Sequence, residues 1–185
     1  MHHIHERGLD LTSSLIKDHE VILKMLERLG AKLGYWKSSK SIEYESLTTF
    51  LEFAKTFIDK CHHGKEERCL FPCLERRGIP REHGPIGVML QEHEQGRQIV
   101  KQIERALKDL GEEEAKHLEI TELCESYVEL LKQHIAKENE VLFPMGESVT
   151  SMEDKTSTNT CYERVESAEV EHEVHEKYVK LADSF

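Results

Sequence analysis

The phrase HHGKEERCLFP runs from His62 to Pro72, and HIAKENEVLFP runs from His134 to Pro144. They share the leading His, the Lys, the first Glu and the closing Leu-Phe-Pro, at an offset of 72 residues. In each, a His and a Glu stand four apart, so on a helix both project from one face. That face is the apolar one. His62 continues the stripe Leu47, Leu51, Ala54 and Ile58, and His134 follows Tyr127, Leu130 and Leu131. The neighbouring His63 has Asp59 and Glu67 at helical spacing and reads as solvated.

Two further histidines interrupt apolar faces in the same manner. His19, in KDHE, lies between Leu15/Ile16 and Ile22/Leu23, and His93, in QEHE, lies between Met89/Leu90 and Val100. Their offset of 74 residues nearly repeats that of the longer phrases. The chain therefore reads as a duplicated helical hairpin, with one His on each first helix and a His-x-x-x-Glu on each second helix. Apolar residues recur with helical period over four stretches, at about 13–35, 41–71, 85–107 and 112–143. Pro72 and Pro144 mark the expected ends of the second and fourth, and Pro85 opens the third. The predicted fold is all-α: an up-down-up-down four-helix bundle over residues 11–146, behind a flexible N-terminus at 1–10. A Ser/Thr-rich polar linker (147–160) and a C-terminal helical tail (161–185) follow. The tail's apolar stripe is thin (Val170, Val174, Tyr178, Leu181), which predicts loose docking over the mouth of the bundle or back along it.

In such a bundle the starts of the first and third helices share an end with the finishes of the second and fourth. At about 1.5 Å per residue, His19, His62, His93 and His134 then fall in one layer, roughly 10–14 Å below that end. Four imidazoles and two carboxylates in an apolar layer cannot stay unpaired, because a lone buried carboxylate is strongly destabilising or loses its charge. Two divalent metal ions bridged by Glu66 and Glu138 would satisfy all six groups. Mixed imidazole and carboxylate ligation with open positions suits iron best, with manganese or zinc as alternatives.

Bulk properties restrict the partners. A formal charge of −11 argues against nucleic acid, since phosphate contacts need a basic surface. No apolar run has the length of a membrane span, and no signal-peptide core opens the chain. Five scattered cysteines, an odd number, suit a reducing compartment, so a cytoplasmic location is expected. Three of the twelve histidines lie in MHHIH at the start and carry no assigned role.

Over about residues 10 to 146 the chain resembles the hemerythrin-like, or HHE, cation-binding proteins. The resemblance rests on DHE at His19, HHGKEERCLFP, EHEQGR at His93 and HIAKENEVLFP. It implies a non-haem di-iron centre in a four-helix bundle, with His19, His62, Glu66, His93, His134 and Glu138 as ligands and the two glutamates bridging. One departure matters. Oxygen-carrying hemerythrins have a second histidine one turn along the third helix, where this chain has Met89 on one side and Gly96 with Arg97 on the other. The six-ligand set looks more like the bacterial and archaeal di-iron repair and stress-response members, and favours reactivity or sensing, oxygen binding included, over reversible oxygen carriage. No cysteine-bearing domain of the kind found in the repair proteins precedes the bundle, which tells against cluster repair specifically.

Several residues admit two readings. Gly96 either leaves room for a small ligand or permits close helix packing. Tyr127 either serves a metal-bound molecule or fills the core. Cys61, Cys69 and Cys73 read as small core or rim residues, with a Cys69/Cys73 redox pair as the alternative. His83, in the loop at the metal-bearing end, reads as a loop residue that could also gate access. HEVH, from His172 to His175, is one residue short of zinc-protease spacing. Three function classes stay open: a di-iron protein that binds or senses O2, NO or peroxide or stores iron at the site; a di-iron enzyme (NO reductase, peroxidase or iron donor for iron-sulfur clusters); and a structural helical module whose tail contacts a protein partner or a second copy. Small molecules are expected to reach the metals at the end of the bundle carrying ERRGIPREHG or through adjacent helix gaps.

Overall fold

The protein is described here by a computed structural model covering residues 10–109, 114–169 and 172–185. All its regular elements are helices. Helix α1 (Ser13–Ser39) buries Leu15, Ile22, Met25, Leu26, Leu29, Leu33 and Trp36, a three-four spacing that continues to its last turn. It stops at Lys40, whose left-handed backbone (φ 54°) returns its N–H to the Trp36 carbonyl. Helix α2 (44–76) begins as Tyr44–Phe53, widens to π-helix over Ala54–His63 and again over Glu66–Leu70, and finishes as Phe71–Arg76. Helix α3 is Pro85–Lys108. Helix α4 (114–149) repeats the pattern of α2: Glu114–Lys137 is α-helical, Glu138–Leu142 is π-helical and Phe143–Val149 is α-helical. Two more helices follow, α5 (Met152–Glu169) and α6 (His172–Ser184).

The prolines do not stop their helices. In both repeats a π turn ends at the Leu of Leu-Phe-Pro and an α segment restarts at the Phe, with Pro72 or Pro144 in its first turn. A first-turn position needs no amide hydrogen, so the ring is accommodated where an uninterrupted α-helix would have excluded it.

Two apolar clusters share the interior, and the polar layer lies between them. The larger includes Met25, Leu29, Trp36, Phe50, Phe53, Ile103, Ile120 and Tyr127. The smaller includes Leu11, Leu15, Leu70, Phe71, Leu74, Ile86, Phe143 and Tyr162.

The stretch expected to be an irregular linker is helical from Met152. Ser151 and Asp154 form a reciprocal cap: the Ser151 N–H donates to the Asp154 carboxylate (2.9 Å) and the Asp154 N–H to Ser151 Oγ (3.1 Å). Thr156 and Thr160 then satisfy their hydroxyls on the carbonyls of Met152 and Thr156, a polar face that composition alone reads as linker.

The tail is also docked closely rather than loosely. Tyr162, 2% exposed, inserts into the smaller cluster and its hydroxyl donates to the Leu11 carbonyl (3.0 Å). Arg77 forks onto Asp154 (2.7 and 2.8 Å), and Tyr178 packs edge-on to Phe53. A disulfide joins Cys69 to Cys161, replacing the expected unpaired rim cysteines and the alternative Cys69/Cys73 pair. Disulfides persist in oxidising surroundings, so this bond removes the ground on which a reducing compartment was inferred. Among the described residues no helix is long and apolar enough to cross a membrane.

Tyr162 anchors this arrangement and supplies a direct test. Tyr162→Ala is expected to destabilise the chain by about 3–5 kcal/mol, the usual loss for a buried aromatic ring. Tyr162→Phe should cost only about 1–3 kcal/mol, for the Leu11 carbonyl left without a donor. Denaturant unfolding of the two variants at equal metal content reads the difference.

Candidate metal centre

His19, His62, His93 and His134 are each 1% exposed, and Glu66 and Glu138 are fully buried. They gather into two overlapping groups whose ligand atoms lie within 4.8 Å of one another: His19, His62, Glu66 and Glu138 in one, and His63, Glu66, His93 and His134 in the other. All six sequence-predicted residues are therefore brought together. His63 joins them, contrary to the expectation that it is solvated. It is 4% exposed and its ring stacks on His93 at 3.7 Å between centroids. The cause is the π-helical stretch Ala54–His63. Each turn there takes an extra residue, so successive side chains diverge less than on an α-helix and both His62 and His63 face inward.

The Glu66 Oε1 atom lies 3.3 Å from His62 Nε2 and 3.5 Å from His93 Nε2, which places it between the groups. Glu138 Oε1 is 2.9 Å from His134 Nε2 and 3.4 Å from His19 Nε2. Yet both oxygens of Glu66, both of Glu138, and the Nε2 atoms of His19 and His62 are buried without a hydrogen-bond partner. Native interiors seldom leave even one such group unmatched. A cluster of unmatched acceptors and imidazole nitrogens pointing at one another is the donor set that a pair of divalent cations fits.

A second ring of residues holds the imidazoles in orientation. Asp18 Oδ2 meets His62 Nδ1 at 3.0 Å and Lys65 Nζ at 2.6 Å. In the other half Glu92 Oε1 lies 3.5 Å from His134 Nδ1, and Lys137 contacts Glu92 at 2.8 Å. Glu67 meets His93 Nδ1 at 3.1 Å and is held by Arg97, which also reaches Asp59 at 2.8 Å. Asn139 Oδ1 meets His19 Nδ1 at 2.7 Å. Imidazoles that ligate metals are commonly fixed this way by a carboxylate or amide on the other ring nitrogen. The signal was present in the repeats: Asp18 and Glu92 precede the two first-helix histidines, while Lys65/Lys137 and Glu67/Asn139 flank Glu66 and Glu138. Sequence reasoning weighed only the ligands and passed over them.

The profile of the hemerythrin HHE cation binding domain matches residues 10–146. The chain belongs to the hemerythrin family. No curated protein and no solved structure matches it.

The electrostatics of this hemerythrin domain follow from its dryness. Burial and the facing Glu138 push the Glu66 carboxyl well up. Burial pushes His62 down to about 4, against the pull of Asp18, and drives His63 well below the usual imidazole range, where His93 and His134 crowd it. His134 goes the other way, to about 9: burial opposes the shift, but Glu138 and Glu92 outweigh it. Asp18 stays far below the ordinary carboxylate range despite burial, because His175, His62 and Lys65 all face it. Metal ligation takes neutral imidazoles and ionised carboxyls, so bound cations would keep His62 and His63 as they are, take the proton of His134 and restore the charge of Glu66.

Of the two expected routes, the helix gap is the one at which a cavity lies. A cavity of about 270 Å³ lies between α2 and α3 with His63 and His93 in its wall, beside Gly96, Arg97, Val100 and Tyr127. A Cβ on Gly96 would meet only Tyr127 Cε2 (3.5 Å) and Leu130 Cδ2 (3.9 Å), ordinary contacts, so close packing does not require the glycine. Tyr127 is a core residue that also lines this cavity, and burial raises its hydroxyl pKa strongly. His83 is exposed on its loop and belongs to neither group. The MHHIH segment and the side chain of His172 lie outside the described residues.

His63→Ala is expected to lower metal content by about one ion per chain, as His62→Ala should, whereas His83→Ala should leave it unchanged. Asp18→Asn should keep both positions but weaken affinity about 10–100-fold. Elemental analysis and a competitive chelator titration check the two statements.

Proposed function

We propose that this hemerythrin domain carries a non-haem di-iron centre that binds and reacts with a small molecule such as O2, NO or peroxide. The observation that carries the reading is the pair of fully buried glutamates, with every oxygen unmatched, set among five imidazoles in two overlapping groups. Manganese or zinc could occupy the same donors; iron fits the nitrogen and oxygen set with positions to spare. In this reading Glu66 and Glu138 bridge, His19 and His62 hold one ion, and His63, His93 and His134 hold the other. A di-iron pair supplies electrons and open coordination positions to a small oxygen or nitrogen-oxide molecule. The chain supplies the rest. The two apolar clusters exclude bulk water from the layer, the outer carboxylates fix the ring orientations, and the side cavity admits a ligand beside His63 and His93.

An enzyme of the oxidative or nitrosative stress response is the second reading, in which the side cavity would bring its substrate to the same donors. A purely structural helical module is disfavoured. The tail's Tyr162, Val165 and Ala182 are buried within this chain, so these side chains are not available to another protein.

Anaerobic loading with ferrous iron should give two ions per chain, lost in the Glu66→Ala/Glu138→Ala double variant. Spectra and consumption assays with O2, peroxide and NO then separate a stable adduct from turnover. Gly96→Leu, which fills the side cavity, should slow azide association severalfold with two ions still bound. One ion or none in the wild type, or an azide rate indifferent to Gly96, would count against the metal pair and the access route respectively.

A further inference from the structure

A third group of metal-binding type lies outside the hemerythrin centre. Cys61 of α2, Glu166 of α5 and His175 of α6 each offer one ligand atom, and the three atoms lie within 4.8 Å of one another. Cys61 is 1% exposed and the other two side chains are partly buried. His175 Nε2 is buried without a hydrogen-bond partner. It stands 3.7 Å from Glu166 Oε1 and 3.8 Å from Asp18 Oδ1, outside hydrogen-bonding distance of both. The ring packs against Phe57, with centroids 5.2 Å apart. Glu166 is likewise oriented, because Lys65 takes its other oxygen, Oε2, at 3.2 Å.

We propose that Cys61, Glu166 and His175 hold one zinc-class divalent cation, which clasps the two C-terminal helices onto the bundle beside the di-metal layer. One sulfur, one nitrogen and one oxygen ligand, with a fourth position for water or for Asp18 Oδ1, is a set suited to tetrahedral zinc. Bonds of about 2.0–2.3 Å require the three atoms to draw together from their present spacing. The partly exposed Glu166 and His175 have the freedom to do so. Binding replaces the Cys61 S–H bond with an S–metal bond and releases that proton to solvent, while His175 ligates as the neutral ring. Charge then balances locally: thiolate, Glu166 and Asp18 face a divalent ion and the Lys65 ammonium. The nearby ammonium is thus no obstacle, since two carboxylates already offset it.

Sulfur makes the proposal separable from the hemerythrin centre, whose donors are only nitrogen and oxygen. The experiment is titration of the metal-free full-length protein, disulfide intact, with cobalt(II) and in parallel with zinc. A sulfur-to-cobalt charge-transfer band in the near ultraviolet should appear in the wild type and vanish in both Cys61→Ser and His175→Ala. Zinc should bind at three ions per chain in the wild type and two in either variant. Cys124→Ser should keep the band, since Cys124 is buried in the larger apolar cluster away from this group. His175→Ala alters a tail residue that is partly exposed, so it guards against misfolding of the Cys61 variant. No band, or a band unchanged in either variant, overturns the clasp. Glu66→Ala/Glu138→Ala should abolish the sulfur-free ions and leave the band, so failure of the di-metal reading is seen independently.

Discussion

Glu66 and Glu138 are fully buried between two apolar clusters, and the surrounding structure is organised by the positive charge they demand. Burial and the facing Glu138 push the Glu66 carboxyl well up, while His134 holds Glu138 well down in spite of its burial. Protonated side chains alone do not resolve this, because most of the imidazoles around them are themselves driven neutral by burial. Cations do. The outer ring then serves the imidazoles and not the carboxylates. Asp18, Glu67, Glu92 and Asn139 each take the far side of one ring, leaving its other nitrogen for the interior.

Duplication built this layer, and the places where the copies differ explain why it opens on one side. At the offsets of the repeat, His63 corresponds to Ile135 and Gly96 to Ile22. Ile135 and Ile22 are buried core residues, whereas His63 and Gly96 line the side cavity. Large aliphatic side chains close one flank of the bundle, and an imidazole with a missing side chain opens the other. The same exchange gives the second group three histidines against two in the first. The two candidate metal positions are therefore chemically unequal, and the cavity adjoins the one richer in nitrogen.

The four-helix plan and the inward-facing His and Glu residues were legible because helical period and a 72-residue repeat are properties of the sequence itself. His63 was not legible. Its inward aim depends on π turns, which no periodicity rule written for α-helices contains. The same turns carry Pro72 and Pro144 through helices that those residues were expected to end. The tail was misread for a different reason. Its Ser and Thr residues form a helix by capping at Ser151 and by bonding back to the preceding turn, interactions that composition scores as linker. Cys69 and Cys161 stand far apart in sequence, and only the docking of α5 makes them neighbours.

The two halves also differ in how their lysines are housed, and this accounts for where the tail lies. Lys137 pairs with Glu92 at the surface and is half exposed, so water completes its solvation. Lys65 makes the equivalent pair with Asp18 but has no solvent contact at all. An ammonium so placed needs further acceptors, and Glu166 of α5 supplies one. His175 of α6 comes up against the same Asp18, so the chain Glu166, Lys65, Asp18, His62 runs from the tail to the di-metal layer. What solvent does for one hairpin, the C-terminal helices do for the other. Displacing them would uncover a buried charge pair one contact away from an imidazole of the site, and the tail is in this sense part of the centre it covers.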